Sequence, residues 1–377
     1  EYLTRQALAA LPDGTWSFTD YLDNDGITDE TIVVKCTVTK KGDEIHVDFD
    51  GTSPKCRSAI QPVFSTTEGM VYIALKGLLG THIPDTSGLL RPVTVTAPED
   101  SFANPRPPAA VASRYIGGRI INHAVWGTLA QIAPEKAWGC PGGSLSYINF
   151  SGWDKSQTPW SSWIFGDSAV GVEPTMGGRH DKDGIEGHST NVTQLANIPI
   201  EIIEHEFPVA IEEYALIPDS EGAGKYRGGL GIVREFELTA EEAILQIRSD
   251  RNKFLPWGAQ GGSPGSPNRN ILNPNDENEQ LPSKFTRTLK KGDVFRQIGS
   301  GAGGYGDPLE RDPQSVFADV IQEKFTALHA KEEYGVVMVD DPLSIDLAST
   351  ERLRGKLKDE RPPLELEAKA VPAVTPQ

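Results

Sequence analysis

Cysteine, methionine, positive charge and long apolar runs are all scarce in this chain. Of its 377 residues, three are cysteine and three methionine. Cys36, Cys56 and Cys140 lie far apart, and no Cys-x-x-Cys pair occurs. An odd count gives no complete disulfide framework. A reducing, cytoplasmic compartment is the simpler reading. No apolar stretch is long enough to span a bilayer, and no signal peptide is recognisable. Lysine and arginine number 36 against 53 acids, a net charge of −17. No basic block stands out, so no nucleic-acid partner is expected. The same balance disfavours docking on an anionic membrane.

Glycine and proline are abundant, at 38 and 28 residues. Together they predict many turns and few long helices. The expected fold is α+β: β-rich mixed sheets, short packed helices and long Gly/Pro-rich loops. Residues 2–11 read as the end of an amphipathic helix stopped by Pro12-Asp-Gly, and the chain opens on Glu1. That predicts preceding sequence in the parent protein. Residues 31–39 and 44–50 alternate with period two around Lys41-Gly42-Asp43, the pattern of a β-hairpin. Residues 65–80 and 117–133 read as apolar helices. Strands are expected at 91–97, 232–238, 243–249, 285–289 and 293–298, with short extended pieces over 200–217. Residues 313–334 read as one helix, with Asp312 as N-cap and Pro313 at its first position. The organisation that follows is a main domain over 1–310, a helical segment over 311–340 and a disordered tail over 341–377.

Several segments, in order, carry a family resemblance. They include Leu11-Pro-Asp-Gly-Thr-Trp, Asp23-Asn-Asp-Gly-Ile, Val47-Asp-Phe-Asp-Gly-Thr-Ser-Pro and Asn104-Pro-Arg-Pro-Pro. Asn197-Ile-Pro-Ile-Glu, Gly222-Ala-Gly-Lys-Tyr-Arg-Gly-Gly-Leu-Gly, Ser249-Asp-Arg, Pro256-Trp-Gly, Leu281-Pro-Ser-Lys and Gly303-Gly-Tyr-Gly-Asp-Pro follow. Each alone is weak. Their joint order resembles the hydantoinase B/5-oxoprolinase family. The resemblance implies a B-type subunit of an ATP-dependent cyclic amide hydrolase, of 5-oxoprolinase or N-methylhydantoinase type. It implies ATP on a hydantoinase A-type partner subunit, a hetero-oligomer, a small-molecule cyclic amide as substrate and a divalent metal. Two alternatives remain open: a subunit of an ATP-dependent ketone carboxylase like acetone carboxylase, and a non-catalytic scaffold.

The family's amino-terminal portion, with its Asn-Asp-Pro-Tyr and Gly-Gly-Thr-His segments, has no counterpart in this sequence. The metal ligands are therefore expected outside this chain. Relatives often carry His-Thr-His where this chain aligns Asn191, with His188 one step off the first histidine. Relatives also often carry Glu-Thr-Ser near Ile116-Gly-Gly. Substrate class is open at both points.

The densest polar cluster contains His180, Asp181, Asp183, His188, Asn191, Asn197, Glu201 and Glu204. Amide hydrolysis needs a group that deprotonates water and groups that orient a carbonyl. His188, Glu201 and Asn191 are the catalytic candidates; Asn197, Arg227 and Tyr305 are the substrate-binding candidates. The alternative is a solvated loop with capping contacts. Glu201 and Glu204 share a face only if their segment is helical. The Gly222–Gly231 loop fits neither a P-loop nor a dinucleotide motif, because a strand follows it. It is expected to use positive-φ glycines, with Arg227 tying the loop. Gly299–Gly306 is read as a turn anchored by Tyr305. His123 reads as a core histidine. Cys140 and Ser144 are weak nucleophile candidates, lacking a recognisable motif. Trp153, Trp160 and Trp163 are expected in the core, with a pocket or interface as the alternative.

Overall fold

The structure is a computed structural model. It describes residues 1–143, 147–156, 158–167, 175–188, 190, 192, 193, 197–364 and 366–373, without the side chain of residue 340. The chain forms two compact units. One comprises residues 1–137, 191–193 and 367–370; the other comprises residues 138–190, 194–366 and 371–377.

The first unit holds α1 (Tyr2–Ala9), β1 (Gly14–Leu22), β2 (Ile32–Lys41), β3 (Glu44–Asp48), α2 (Phe64–Leu79), α3 (Ser87–Leu90), β4 (Val93–Thr96) and α4 (Arg114–Ile132). The strands make one sheet in the order β1-β2-β3-β4, antiparallel except for the β3–β4 pair. The expected hairpin is β2–β3, with Gly42 at φ +63° in its turn. Strand β2 alternates as predicted: Ile32, Val34, Cys36 and Val38 point into the core. Helix α4 is buried all round, as a central core helix requires. A Cβ at Gly127 would stand 2.5 Å from the Phe18 ring, so glycine lets α4 lie close on β1.

The second unit begins its regular structure with β5 (Tyr147–Asp154), β6 (Ser161–Asp167), α5 (Ile200–Glu206), β7 (Val209–Leu216), β8 (Ile232–Leu238), β9 (Glu242–Arg248) and β10 (Phe254–Leu255). It continues with β11 (Arg269–Leu272), β12 (Glu279–Leu281), β13 (Lys284–Lys290) and β14 (Val294–Ile298). Sheets β13-β9-β5-β6 and β12-β11-β14-β8-β7 share one core. Phe150, Phe165, Leu245 and Ile247 of the first sheet meet Phe236, Leu238 and Phe295 of the second. The result is a β-sandwich in which β9 alternates between core and solvent while β8 is buried on both faces. Part of the 200–217 region, expected as extended, is instead helix α5. Ile203 enters the sandwich core from α5, while Glu201 and Glu204 stay exposed.

The carboxy-terminal region adds α6 (Pro313–Ile321), α7 (Ala327–Tyr334), β15 (Met338–Asp340), β16 (Leu343–Ile345), α8 (Leu347–Glu360) and β17 (Val371–Pro372). Asp312 caps α6 as expected, accepting from the Gln314 N–H with Pro313 at the first position. The single helix predicted over 313–334 is two. Glu323 takes φ +59°, and Thr326 caps a new start by accepting from His329 N–H. Within 341–377, where composition predicts disorder, the chain forms β16, α8 and β17. Asp346 caps α8, and Arg361 pairs with Asp307 through contacts of 2.7 and 2.6 Å. Charged side chains with fixed partners anchor this segment, which composition does not reveal.

Candidate functional site

The second unit concentrates buried charge around a layer of glycine-rich loops. Residues 222–231, 258–265 and 299–306 pack backbone against backbone. Ala302 N–H donates to Gly229 O at 3.0 Å, and Gly304 N–H to Ser263 O at 2.9 Å. The glycines of 222–231 do not take positive φ, contrary to expectation. They are needed because no Cβ would fit: one at Gly228 would overlap the Ala302 carbonyl.

Arg227 leaves this layer and is 3% exposed. Its Nη1 donates to Glu186 at 2.5 Å and to Gly228 O at 3.0 Å, and its Nε donates to Asp319 at 3.2 Å. Arg311 clamps both oxygens of Asp183 at 2.6 and 2.8 Å and reaches Asp319 at 2.7 Å. Lys324 stands 3.7 Å from Glu186. Three carboxylates thus face two guanidiniums and one ammonium. Burial pushes the Asp183 carboxyl upward, but the Arg311 bonds outweigh it and hold the group below its ordinary range. The expectation that Arg227 ties the loop agrees with these contacts.

A second buried polar group follows β9. Ser249, Asp250 and Arg251 are fully buried, and Arg251 takes φ +70°. A non-glycine residue held there is strained, a condition common at functional sites. Asp250 accepts from Lys284 Nζ at 2.6 Å. Arg251 Nη2 stands 3.5 Å from Cys140 Sγ. Ser249 Oγ donates to Ser283 O and accepts from Asn268 and Asn270, so its hydrogen-bonding capacity is spent. It is a scaffold hydroxyl. The Ser249-Asp-Arg triplet was visible as a motif, but nothing in the sequence marked it as buried.

Asn197 lies at a third point. This exposed residue accepts at 3.0 Å from Nη1 of Arg234, which also donates to Asp167 at 2.6 Å. Arg234 is fully buried, with Tyr214 and Phe236 rings against its guanidinium at 4.7 and 5.5 Å. Sequence reasoning missed Arg234, which sits inside an otherwise ordinary strand. Its position opposite Tyr214 in the β7–β8 register is the only trace it leaves.

The remaining predicted residues are spread out. His188 is exposed, two positions beyond Glu186 and so close in sequence to the Arg227 network. Glu201 is exposed on the first turn of α5. Tyr305 is half-buried and pairs through its backbone with Tyr226, next to Arg227. Arg227 and Tyr305 therefore share one layer, whereas Asn197 belongs to the Arg234 cluster. Asn191 lies outside the described residues, as does Ser144. Glu204 accepts the Ile211 N–H at 2.9 Å, at the point where β7 slips register against β8. Its role is to satisfy a backbone donor. Cys36 is buried, and burial pushes its thiol up to about 12. Trp153 and Trp160 are exposed, at 58% and 59%. Their expected core placement is corrected in favour of a surface. Among the described residues, neither unit by itself gathers three His, Cys, Asp or Glu ligand atoms within 4.8 Å of one another.

A mixed α+β chain with glycine layers and buried arginine–carboxylate clusters defines a specialised architecture. The hydantoinase B/oxoprolinase family model matches residues 1–308, and the chain belongs to that family. It is 33% identical over 368 residues to a Pseudomonas sp. (strain NS671) protein, the putative B component of a D-/L-hydantoinase, covering 94% of this chain and 60% of that one. The beta component of the Pseudomonas jessenii caprolactamase is 28% identical, with 92% and 60% covered. The solved ATP-dependent caprolactamase from that organism superimposes with a TM-score of 0.80 at 27% identity, over 93% of this chain and 62% of that chain. A nucleotide-free acetone carboxylase structure gives a TM-score of 0.78 at 18% identity, over 95% and 55%, which shows a shared fold alone. The chain thus spans 60% of the length of the hydantoinase and caprolactamase components it matches. No helix among the described residues is long and apolar enough to cross a membrane.

Proposed function

We propose that this chain is part of a B-type subunit of an ATP-dependent cyclic amide hydrolase. In this reading a partner of the hydantoinase A type binds ATP and activates the substrate, and the B-type subunit completes ring opening. The observation that carries the reading is family membership over residues 1–308, together with relatives named as a hydantoinase component, 5-oxoprolinase 1 of Arabidopsis thaliana and a caprolactamase component. ATP use is supported by a solved relative named an ATP-dependent caprolactamase.

Amide opening requires water to lose a proton as its oxygen attacks the carbonyl carbon, and the ring nitrogen to receive a proton as the C–N bond breaks. It also requires donors facing the oxygen that gains charge. His188 is proposed as the base, with Glu201 and Asn191 assisting. Asn197 is proposed to orient the substrate carbonyl. Its carboxamide is held by Arg234, which leaves its own N–H groups for an acceptor. Arg227 is proposed as a positioning residue, since its Nε and Nη1 are engaged by protein acceptors. Tyr305 is proposed to present the substrate-facing edge of that layer.

The test is to purify the full protein with its ATP-binding partner. ATP consumption is then followed with 5-oxoproline, hydantoin and caprolactam, and separately with acetone plus bicarbonate. Substrate-stimulated ATP hydrolysis with at least one cyclic amide is expected. Stimulation only in the ketone and bicarbonate arm would replace this reading with a carboxylase. Silence throughout would leave the scaffold alternative.

A further inference from the structure

Asp319 on α6 is shared by two arginines, and each reaches on to a different acid in the loop before His188. Arg227 holds Asp319 through Nε at 3.2 Å and Glu186 through Nη1 at 2.5 Å. Arg311 holds Asp319 through Nη2 at 2.7 Å and grips both oxygens of Asp183. Asp319 and both arginines are buried. A guanidinium is flat and rigid, so its edges fix the spacing between the groups they hold. A buried ion pair adds little stability over an apolar pair of the same size. A network of this extent is therefore read as a device that sets geometry.

The backbone of the loop is tied at the same place. Asp183 Oδ1 also accepts the Arg227 N–H at 3.0 Å, and Gly184 N–H donates to Arg227 O at 2.8 Å. Met176 N–H closes the other arm on Ile185 O at 3.0 Å. After Glu186 comes Gly187 at φ +63°, and then His188. Two residues span at most about 7 Å, so the place of Glu186 constrains His188 across a single glycine. The family match ends at residue 308. Arg311 and Asp319 thus lie beyond the match, while the two acids tied to them lie within it.

We propose that Glu186 is a positioning residue for His188, held in place from α6 through Asp319 and Arg227. The inference rests on the amide-hydrolase reading with His188 as base, and adds which side chains aim that base. In this proposal Glu186 touches no reacting atom. It fixes the chain beside the imidazole, and a reacting group misplaced by about 1 Å costs about 100-fold in rate.

The experiment uses the full protein assembled with its ATP-binding subunit, with 5-oxoproline, hydantoin and caprolactam as substrates. It compares the wild type, Glu186→Ala, Glu186→Gln, His188→Gln and the double variant Glu186→Ala with His188→Gln. Glu186→Ala is expected to lower kcat about 100-fold and to leave KM within about threefold. Glu186→Gln keeps an acceptor for Arg227 and should recover about tenfold of that loss. The double variant should be within about threefold of His188→Gln, because a residue acting through the imidazole has nothing left to aim. Losses that multiply would place Glu186 outside the action of His188 and overturn the proposal. Amide exchange on the same proteins should quicken about tenfold at Gly184 and Met176 in Glu186→Ala and stay unchanged in β8. Unchanged exchange at Gly184 would also overturn it, since the loop would hold its place without Glu186. A fully active His188→Gln would remove the base, and this proposal with it, while the hydrolase reading stands. If the wild-type assembly opens no cyclic amide, the hydrolase reading fails and takes the aiming of His188 with it, and exchange alone decides whether Glu186 anchors the loop.

Discussion

At the scale of single residues, the chain fixes its loops with buried side chains that satisfy several partners at once. Asp25 is the simplest case. Its Oδ1 accepts the Ile27 and Thr28 N–H groups at 2.8 and 2.7 Å, and its Oδ2 accepts the Arg57 N–H at 3.2 Å. Replacing it with alanine orphans three donors in a site that is 5% exposed. Asp25→Ala should therefore cost about 2 kcal/mol or more, read from urea unfolding, with Asp25→Asn recovering part. Arg311 raises the stakes. It neutralises Asp183 and Asp319 together; Arg311→Met would strip Asp183, whose side chain is 34% exposed, of its guanidinium and leave Asp319 with Arg227 alone. The expected loss is about 2–3 kcal/mol. A loss below about 1 kcal/mol would mean the cluster is more solvated than its contacts imply.

At the scale of elements, the periodic signals were legible and the structural reasons for the exceptions are specific. The β2–β3 hairpin, α2, α4 and β8 could be read because alternation or a continuous apolar run writes burial directly into sequence. The α6 cap could be read because an Asp-Pro pair stands directly before an apolar-periodic run, with Asp as cap and Pro at the first helical position. The break at Glu323 could not, since its only local mark is a non-glycine residue at positive φ. Arg234 was hidden for a different reason: its partners Asp167 and Asn197 are distant in sequence. Trp153 and Trp160 misled because large aromatics default to cores, and only the open sheet face shows otherwise. Of the six residues offered as a site, five lie among the described residues, and the sequence did not show how they group. Arg227 with Tyr305, and Asn197 with Arg234, are associations of the fold.

Helix α7 carries a prediction of its own. Glu221 is buried and accepts from His329 Nε2 at 2.7 Å and Tyr334 Oη at 2.9 Å. Burial pulls the His329 imidazole down, but the Glu221 bond and the fields of Glu221, Asp219 and Glu333 outweigh it and raise it above its usual value. Burial likewise raises Glu221, against the opposing pull of His329. The pair shares one proton, and the direction that follows from the 2.7 Å contact is a His329 imidazole that holds it more tightly folded than unfolded. Its contribution is therefore fully present below the unfolded value and is lost as pH rises through the raised folded one. Unfolding free energy should fall as pH rises above the ordinary imidazole value of about 6.5, and His329→Gln should flatten that slope. An unchanged slope in the variant would assign it to other groups.

At the scale of the whole molecule, the acid side is a contest between two terms of opposite sign. Asp25, Asp183 and Asp307 all titrate below the ordinary carboxylate range. Burial opposes this in each, while backbone N–H groups or arginine partners prevail. A depressed folded pKa contributes stability above the unfolded value and loses it as pH falls through the folded one. That term erodes stability below about pH 4. The net charge of −17 acts the other way. Carboxylate protonation relieves self-repulsion as pH approaches the isoelectric point of 4.9. Repulsion among exposed charges is screened beyond about 8 Å at physiological salt, whereas the Arg311 contacts at Asp183 are 2.6 and 2.8 Å. The short-range term should therefore dominate below about pH 4, and added salt should separate the two. Raising salt from about 0.02 to about 0.5 M is expected to raise the unfolding midpoint at about pH 8, where repulsion is fully developed, and to leave it nearly unchanged at about pH 5. Dilute protein is needed at the lower pH, where a chain near zero charge associates. A salt increment of equal size at both values would show that general salting-out, and not the acidic surface, sets the response.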